Sequence, residues 1–213
     1  MNMRRRVLQA GIVGLAGVLA GGLAQAGQLD ALAEYYRSAE TVQGVFEQET
    51  IDERGDVIET SQGEFVIARP DRFRWSYEGP FAQEIVGDGE RLWIHDVELD
   101  QVSVRDQRAA LGSAPAQLLS GNLDDLEAAF ELEETPEHVR LTPRDGGETF
   151  DEARVAMADG RPEVLEIDDA LGQVTRVRLS EVRLDEPVEE ERLRFEPPEG
   201  VDVYEMDREG AGP

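Results

Sequence analysis

Near Thr41 the hydropathy period of this chain changes from 3.6 residues to two, and it stays close to two almost to the end. The turns between successive strand-like runs are too short to hold a helix. Parallel pairing needs a crossover of a dozen or more residues, so the pattern excludes βαβ architectures and demands a mostly antiparallel sheet. In Thr41–Ile51, Val42, Gly44, Phe46 and Gln48 share one face, and Asp52-Glu53-Arg54-Gly55-Asp56 reads as a hairpin turn. Gly63–Ala68 and Arg72–Tyr77 follow, separated by Arg69-Pro70-Asp71, where proline ends a strand and fixes a turn. Phe73, Trp75 and Tyr77 form one face of that second strand, and Arg72, Arg74 and Ser76 the other. Asp88-Gly89 joins Gln83–Val86 to Leu92–His95, and Gln101–Arg105 comes next. His138–Thr142, Glu152–Met157, Val164–Asp168, Val174–Leu184 and Leu193–Phe195 complete about ten strands. Within Val174–Leu184 the apolar parity switches from Val177 and Leu179 to Val182 and Leu184, so a bulge is expected near Ser180-Glu181.

Two stretches break the period. Leu29, Leu32, Ala33 and Tyr36 lie on one face of a helix over Gln28–Ser38. Between Ala109 and Phe130 the pattern is helical again: Ser113 can cap, Pro115 suits a first helical position, Leu118 and Leu119 are apolar and Gly121 is a stop, before a second run over Leu123–Phe130. The expected fold is mainly β with a helical lid. One highly curved antiparallel sheet forms an unclosed half-barrel, and short α-helices cover its concave face.

The first residues stand apart from this scheme. Arg4, Arg5 and Arg6 precede an apolar stretch, Val7–Leu23, and Ala24-Gln25-Ala26 is a small-x-small cleavage site. Residues 1–26 are read as a signal peptide cleaved after Ala26, residues 27–204 as one domain and 205–213 as a flexible tail. Export by the general secretory route and by the twin-arginine route both fit the arginine triplet. No cysteine follows the cleavage site, so the chain carries no lipobox-type anchor.

The charge narrows the chemistry. Asp and Glu number 47 against 21 cations, a formal charge of −26, and every one of those cations is Arg. Removing residues 1–26 removes three Arg and no acid, which takes the exported domain to −29. So acidic a surface repels phosphate backbones, and nucleic acid is excluded as a partner. A compact state with this charge is best tolerated at high ionic strength, so a halophilic setting is expected. With no Lys and no Cys, Schiff-base and thiol chemistry are impossible, and no HExxH, GxSxG, Walker or GxGxxG motif is present. His95 and His138 fit no metal spacing, and Glu189-Glu190-Glu191 and Asp168-Asp169 are neighbours that 47 scattered acids produce by chance. A non-enzymatic monomer without metal or cofactor is expected. A curved sheet lined by Phe46, Phe65, Phe73, Trp75 and Trp93 suits acyl chains, which gain roughly 0.8 kcal/mol per buried methylene. Arg69, with five fixed donors beside the turn at Pro70, can satisfy orphan carbonyls at a helix C-terminus and latch a lid. An acidic periplasmic hydrolase is the alternative from another class.

Taken in order, Gly44-Val45-Phe46-Glu47-Gln48, Gly63-Glu64-Phe65, Arg69-Pro70-Asp71-Arg72-Phe73-Arg74-Trp75, Pro80, Asp88-Gly89, Leu92-Trp93, Gln101, Pro115 with Leu118-Leu119, and Phe195-Glu196-Pro197-Pro198-Glu199-Gly200-Val201 resemble the LolA family of outer-membrane lipoprotein carriers. The resemblance covers essentially the whole chain after the leader. It implies a periplasmic chaperone that takes the acyl chains of lipoproteins from an inner-membrane ABC transporter to an outer-membrane receptor. It implies that Arg69 holds the lid closed through bonds to lid-helix backbone and serves cargo transfer, and that Phe73 serves cargo acceptance and transporter engagement. Trp75 and Trp93 then match aromatics of the concave wall, and Leu118 and Leu119 fall in the lid. His95, where relatives often carry Tyr, and the extreme acidity depart from the pattern. A related half-barrel, either another lipid-binding protein or an envelope-stress sensor, is the neighbouring alternative.

Overall fold

The computed structural model describes residues 27–107, 115–144, 146 and 150–206. Helix α1 (Gln28–Ser38) leads into β1 (Thr41–Ile51), β2 (Val57–Ala68), β3 (Arg72–Glu78), β4 (Gln83–Asp88), β5 (Arg91–Asp96) and β6 (Gln101–Asp106). Helices α2 (Pro115–Ser120) and α3 (Leu123–Ala129) follow, then β7 (Phe130–Glu134), β8 (Val139–Pro143), β9 (Glu152–Ala158), β10 (Arg161–Asp168) and β11 (Val174–Leu184). A 3-10 turn at Glu190–Leu193 and β12 (Asp202–Glu205) complete the described chain. The strands form one sheet in the order β12-β6-β5-β4-β3-β2-β1-β11-β10-β9-β8-β7, so β12 and β7 are its free edges and the half-barrel does not close. All pairings are antiparallel except β12 with β6.

The expected bulge is present. Gln43 pairs with Arg183 and Val45 with Ser180, so two residues of β11 oppose Gly44, and Glu181 takes φ 51°. Glycines let the inner face curl around large rings: a Cβ on Gly63 would lie 1.8 Å from the Ser76 carbonyl oxygen, and one on Gly87 2.4 Å from Phe73 Cε1. Two strands are additional to those expected, β7 and β12, while Leu193–Phe195 forms no strand. Those residues belong instead to a strap on the outer face, where the Arg74 guanidinium donates to the carbonyl oxygens of Arg192 and Arg194, both at 2.7 Å, and Leu193 packs on Val66 and Ala68. Glu205, expected in the tail, ends β12; the leader 1–26, Ser113 and residues from 207 onward lie outside the described residues.

Arg140, Arg154, Arg176 and Arg178 form an ion-pair ladder across β8–β11 and β1. Arg154 meets Asp168 at 2.6 Å and Glu166 at 3.0 Å, Arg176 meets Glu166 at 2.6 Å, and Arg178 meets Glu49 at 3.0 Å. Burial pushes the Glu166 carboxyl up, but the Arg176 and Arg154 guanidiniums outweigh it and hold it below the ordinary carboxylate value.

Candidate functional site: a lidded aromatic wall

The inner face follows from register. Phe65 lies opposite Trp75, Ile67 opposite Phe73 and Gly63 opposite both Phe46 and Tyr77, so one row of rings runs across β1–β3. Phe46 stacks on Trp75 with centroids 4.5 Å apart, Phe65 stacks on Trp75 at 5.1 Å, and Tyr77 meets Phe46 edge-on at 5.0 Å. Phe46, Phe65, Phe73 and Trp75 are buried, in one cluster with Leu32 of α1, Leu118 and Leu119 of α2 and Leu126 of α3. The lid leucines thus occupy the wall, with α2 packed on β2 and β3.

Among the described residues, one guanidinium and two phenols bond to the lid backbone. From the β2–β3 turn, Arg69 Nε donates to the Ala39 carbonyl, which caps α1, at 2.9 Å, and one Nη donates to the Gly121 carbonyl just past α2 at 2.5 Å. One guanidinium therefore satisfies the carbonyls that two helix ends leave unpaired. The same guanidinium lies 4.6 Å and 4.8 Å from the ring centroids of Tyr35 and Tyr36. The tyrosines stitch α1 to α2 in turn: Tyr35 donates to the Leu119 carbonyl at 3.0 Å, and Tyr36 donates to that of Leu118. Burial pushes the Tyr35 hydroxyl up to about 12, partly opposed by the Arg69 charge, and burial also pushes Tyr36 up. Pro70 is exposed at the turn and its peptide bond to Arg69 is cis.

The structure thus brings together Arg69, Phe46, Phe65, Phe73, Trp75, Leu118 and Leu119, and it separates Trp93 from them. The expectation that Trp93 lines the concave wall is corrected: Leu92 and Ile94 point inward, whereas Trp93 pairs with Val86 in the outer row, packs on Phe195 at 5.6 Å and donates to Asp88 at 2.9 Å. His95 shares that outer row, 5.7 Å from Phe195, so it does not touch the wall. Sequence reasoning missed the part played by Tyr35. Its signal was an adjacent tyrosine pair on a helix packed against the sheet, since a buried phenol needs an acceptor. Asn122, whose side chain caps α3 by accepting from the Asp125 amide, was also missed.

A cleft of about 580 Å³ opens beside α1, lined by Gln28, Ala31, Tyr35, Glu134, Met157 and their neighbours, outside the aromatic wall. Among the described residues no group of three or more His, Cys, Asp or Glu is placed to hold a metal, and no helix is long and apolar enough to cross a membrane.

A solved LolA superfamily protein from Nitrosomonas europaea is similar over 80% of this chain and 99% of its own, with a TM-score of 0.48 and 12% identity. Residues 37–196 match the family model described as outer membrane lipoprotein carrier protein LolA. An outer-membrane lipoprotein carrier protein from Halorhodospira halophila is 73% identical over 190 residues, 89% of this chain and 91% of the relative. One of the same name from Alkalilimnicola ehrlichii is 49% identical over 175 residues, 82% of each. With the family model matched from the end of α1 to the strap and two relatives of that name 73% and 49% identical, the chain belongs to the outer-membrane lipoprotein carrier family, LolA.

Proposed function

We propose that this protein is a periplasmic lipoprotein chaperone, exported with its leader removed after Ala26. It takes the acyl chains of lipoproteins released from an inner-membrane ABC transporter and delivers them to an outer-membrane receptor. The observation that carries the reading is a continuous aromatic wall covered by leucines, with the Arg69 guanidinium bonded to the backbone at the ends of α1 and α2.

An incoming acyl chain replaces Leu118 and Leu119 on Phe46, Phe65, Phe73 and Trp75, so the wall exchanges one apolar partner for another. The net gain is burial of the chain itself, roughly 0.8 kcal/mol per methylene, less the cost of re-exposing lid side chains. Over about fifteen methylenes the gain is about 12 kcal/mol, against about 3–6 kcal/mol for re-exposing Leu118 and Leu119 and about 2–4 kcal/mol for the latch, so cargo opens the lid. Arg69 then loses Ala39 and Gly121, and reclosing on these carbonyls favours release. No step calls for a nucleotide or bond chemistry in this chain; the transporter supplies the energy.

The test is a reconstituted transfer from transporter proteoliposomes, through this protein, to the receptor. Arg69→Leu accepts lipoprotein but passes it on poorly, and Phe73→Glu fails at acceptance or blocks the transporter. Equal acceptance and delivery by wild type and both variants contradicts the assignment.

A further inference from the structure

The end of the half-barrel remote from Arg69 carries exposed apolar side chains that do not belong to the aromatic wall. Antiparallel register points the β2–β3 and β4–β5 turns to the Arg69 end, and α1 lies across that end. Its contacts are Ala39 with Arg69, Gln28 with Met157 beside the β9–β10 turn, and Leu29 with Glu134 beside the β7–β8 turn. The β1–β2, β3–β4, β5–β6 and β10–β11 turns all point the other way. Their strands are consecutive in the sheet, so the four tips form one arc. The β10–β11 and β1–β2 tips lie side by side: a Cβ on Gly172 would sit 3.6 Å from Glu53 Cβ.

The arc is apolar where it is most exposed. Phe81 is 76% exposed, Leu171 77% and Leu99 62%, and Val57, Ile58 and Val97 accompany them. These are six of the nine large apolar side chains exposed among the described residues, and such a concentration marks an interaction surface. Around them, segments 52–56, 79–82, 97–100 and 169–173 hold six Asp or Glu and one Arg. A second copy of the chain, or an anionic bilayer, would bring its own negative charge to that collar. Only a basic surface complements it.

We propose that this arc docks a protein partner presenting an apolar socket ringed by Lys or Arg. The proposal rests on the carrier reading, because a shuttle must be recognised by the proteins that load and unload it.

The experiment immobilises the mature protein and titrates it with two probes, the detergent-solubilised lipoprotein-releasing transporter and the soluble domain of the receptor, with lipoprotein uptake measured in parallel. A Phe81→Ser/Leu99→Ser/Leu171→Ser variant, matched to wild type in circular dichroism and melting temperature, takes up lipoprotein normally. It binds at least one probe ten-fold or more weakly. A Glu53→Gln/Asp56→Asn/Glu98→Gln variant associates with that probe several-fold more slowly at low salt and equally fast in molar NaCl. Unchanged affinity of the apolar variant for both probes overturns the docking surface while leaving the carrier reading intact. Loss confined to binding of phosphatidylcholine vesicles, or to self-association, overturns it in favour of a membrane or a second copy. Wild-type protein that takes up no lipoprotein overturns the carrier reading and this proposal with it.

Discussion

Replacing Arg69 by leucine deletes the two bonds that tie α1 and α2 to the β2–β3 turn and removes the cation from the Tyr35 and Tyr36 rings. A charge-assisted hydrogen bond is worth about 1.5–3 kcal/mol net, and each cation–π contact about 0.5–1 kcal/mol. Arg69 is half-buried and regains water when the lid opens, which discounts the sum to about 2–4 kcal/mol. At 1.4 kcal/mol per tenfold, the closed-to-open ratio falls by about 30- to 700-fold. Hydrogen exchange read by mass spectrometry resolves this by segment. Amides of α1 and α2–α3 lose protection by that factor in Arg69→Leu, while those of β1 and β11 keep theirs. Lid segments that exchange as in wild type would refute the latch. Uniform loss over lid and sheet would refute it too, since Arg69 would then support only global stability.

Other expectations separate the two faces and the titrating groups. Trp93→Ala lowers stability by about 2–3 kcal/mol, through lost packing on Phe195 and the lost bond to Asp88, yet leaves lipoprotein uptake intact. Trp75→Ala abolishes uptake; denaturant melts and an uptake assay distinguish the pair. The Tyr35 hydroxyl ionises near 10 when unfolded and about 12 when folded, and Tyr36 is raised as well. The neutral folded form is therefore favoured, and its stabilisation, complete below pH 10, is lost as pH rises from 10 towards 12. Stability of a Tyr35→Phe/Tyr36→Phe variant shows a correspondingly shallower alkaline slope. With a charge of −29 over residues 27–213, the melting temperature rises between low and molar salt, and a flat dependence contradicts that expectation.

Much of this was legible because two-residue alternation is a direct image of a sheet with a dry and a wet face. β1 and β11 have the boundaries read from the sequence, and the parity switch at Ser180-Glu181 located the bulge. Legibility failed where both faces are covered. In Leu92-Trp93-Ile94-His95 the inner residues meet the wall and the outer ones meet the strap, so every position is apolar or buried enough to look inward, and an aromatic side chain in a family-like motif was wrongly placed on the wall at Trp93. β7 was missed because the helical run was carried to Phe130, its first residue, and Glu131–Glu134 holds a single apolar residue, Leu132, among acids. β12 is held by backbone pairing to β6 with all four side chains exposed, which leaves no hydropathy signal. Leu193 and Phe195 have strand spacing but serve as anchors of the strap. At the site, Arg69 was legible as a donor beside a turn. Its second acceptor at Gly121 and its tyrosine cage depend on how α1 and α2 converge, which is a tertiary fact.

The central claim is that the wall of Phe46, Phe65, Phe73 and Trp75 carries acyl chains. Native mass spectrometry of the mature protein, purified from the periplasm without detergent, tests it most directly. The account predicts one triacylated lipoprotein per carrier, lost in Phe73→Glu and retained in Trp93→Ala. Protein that comes out free of acylated species, or holds them equally in both variants, contradicts it.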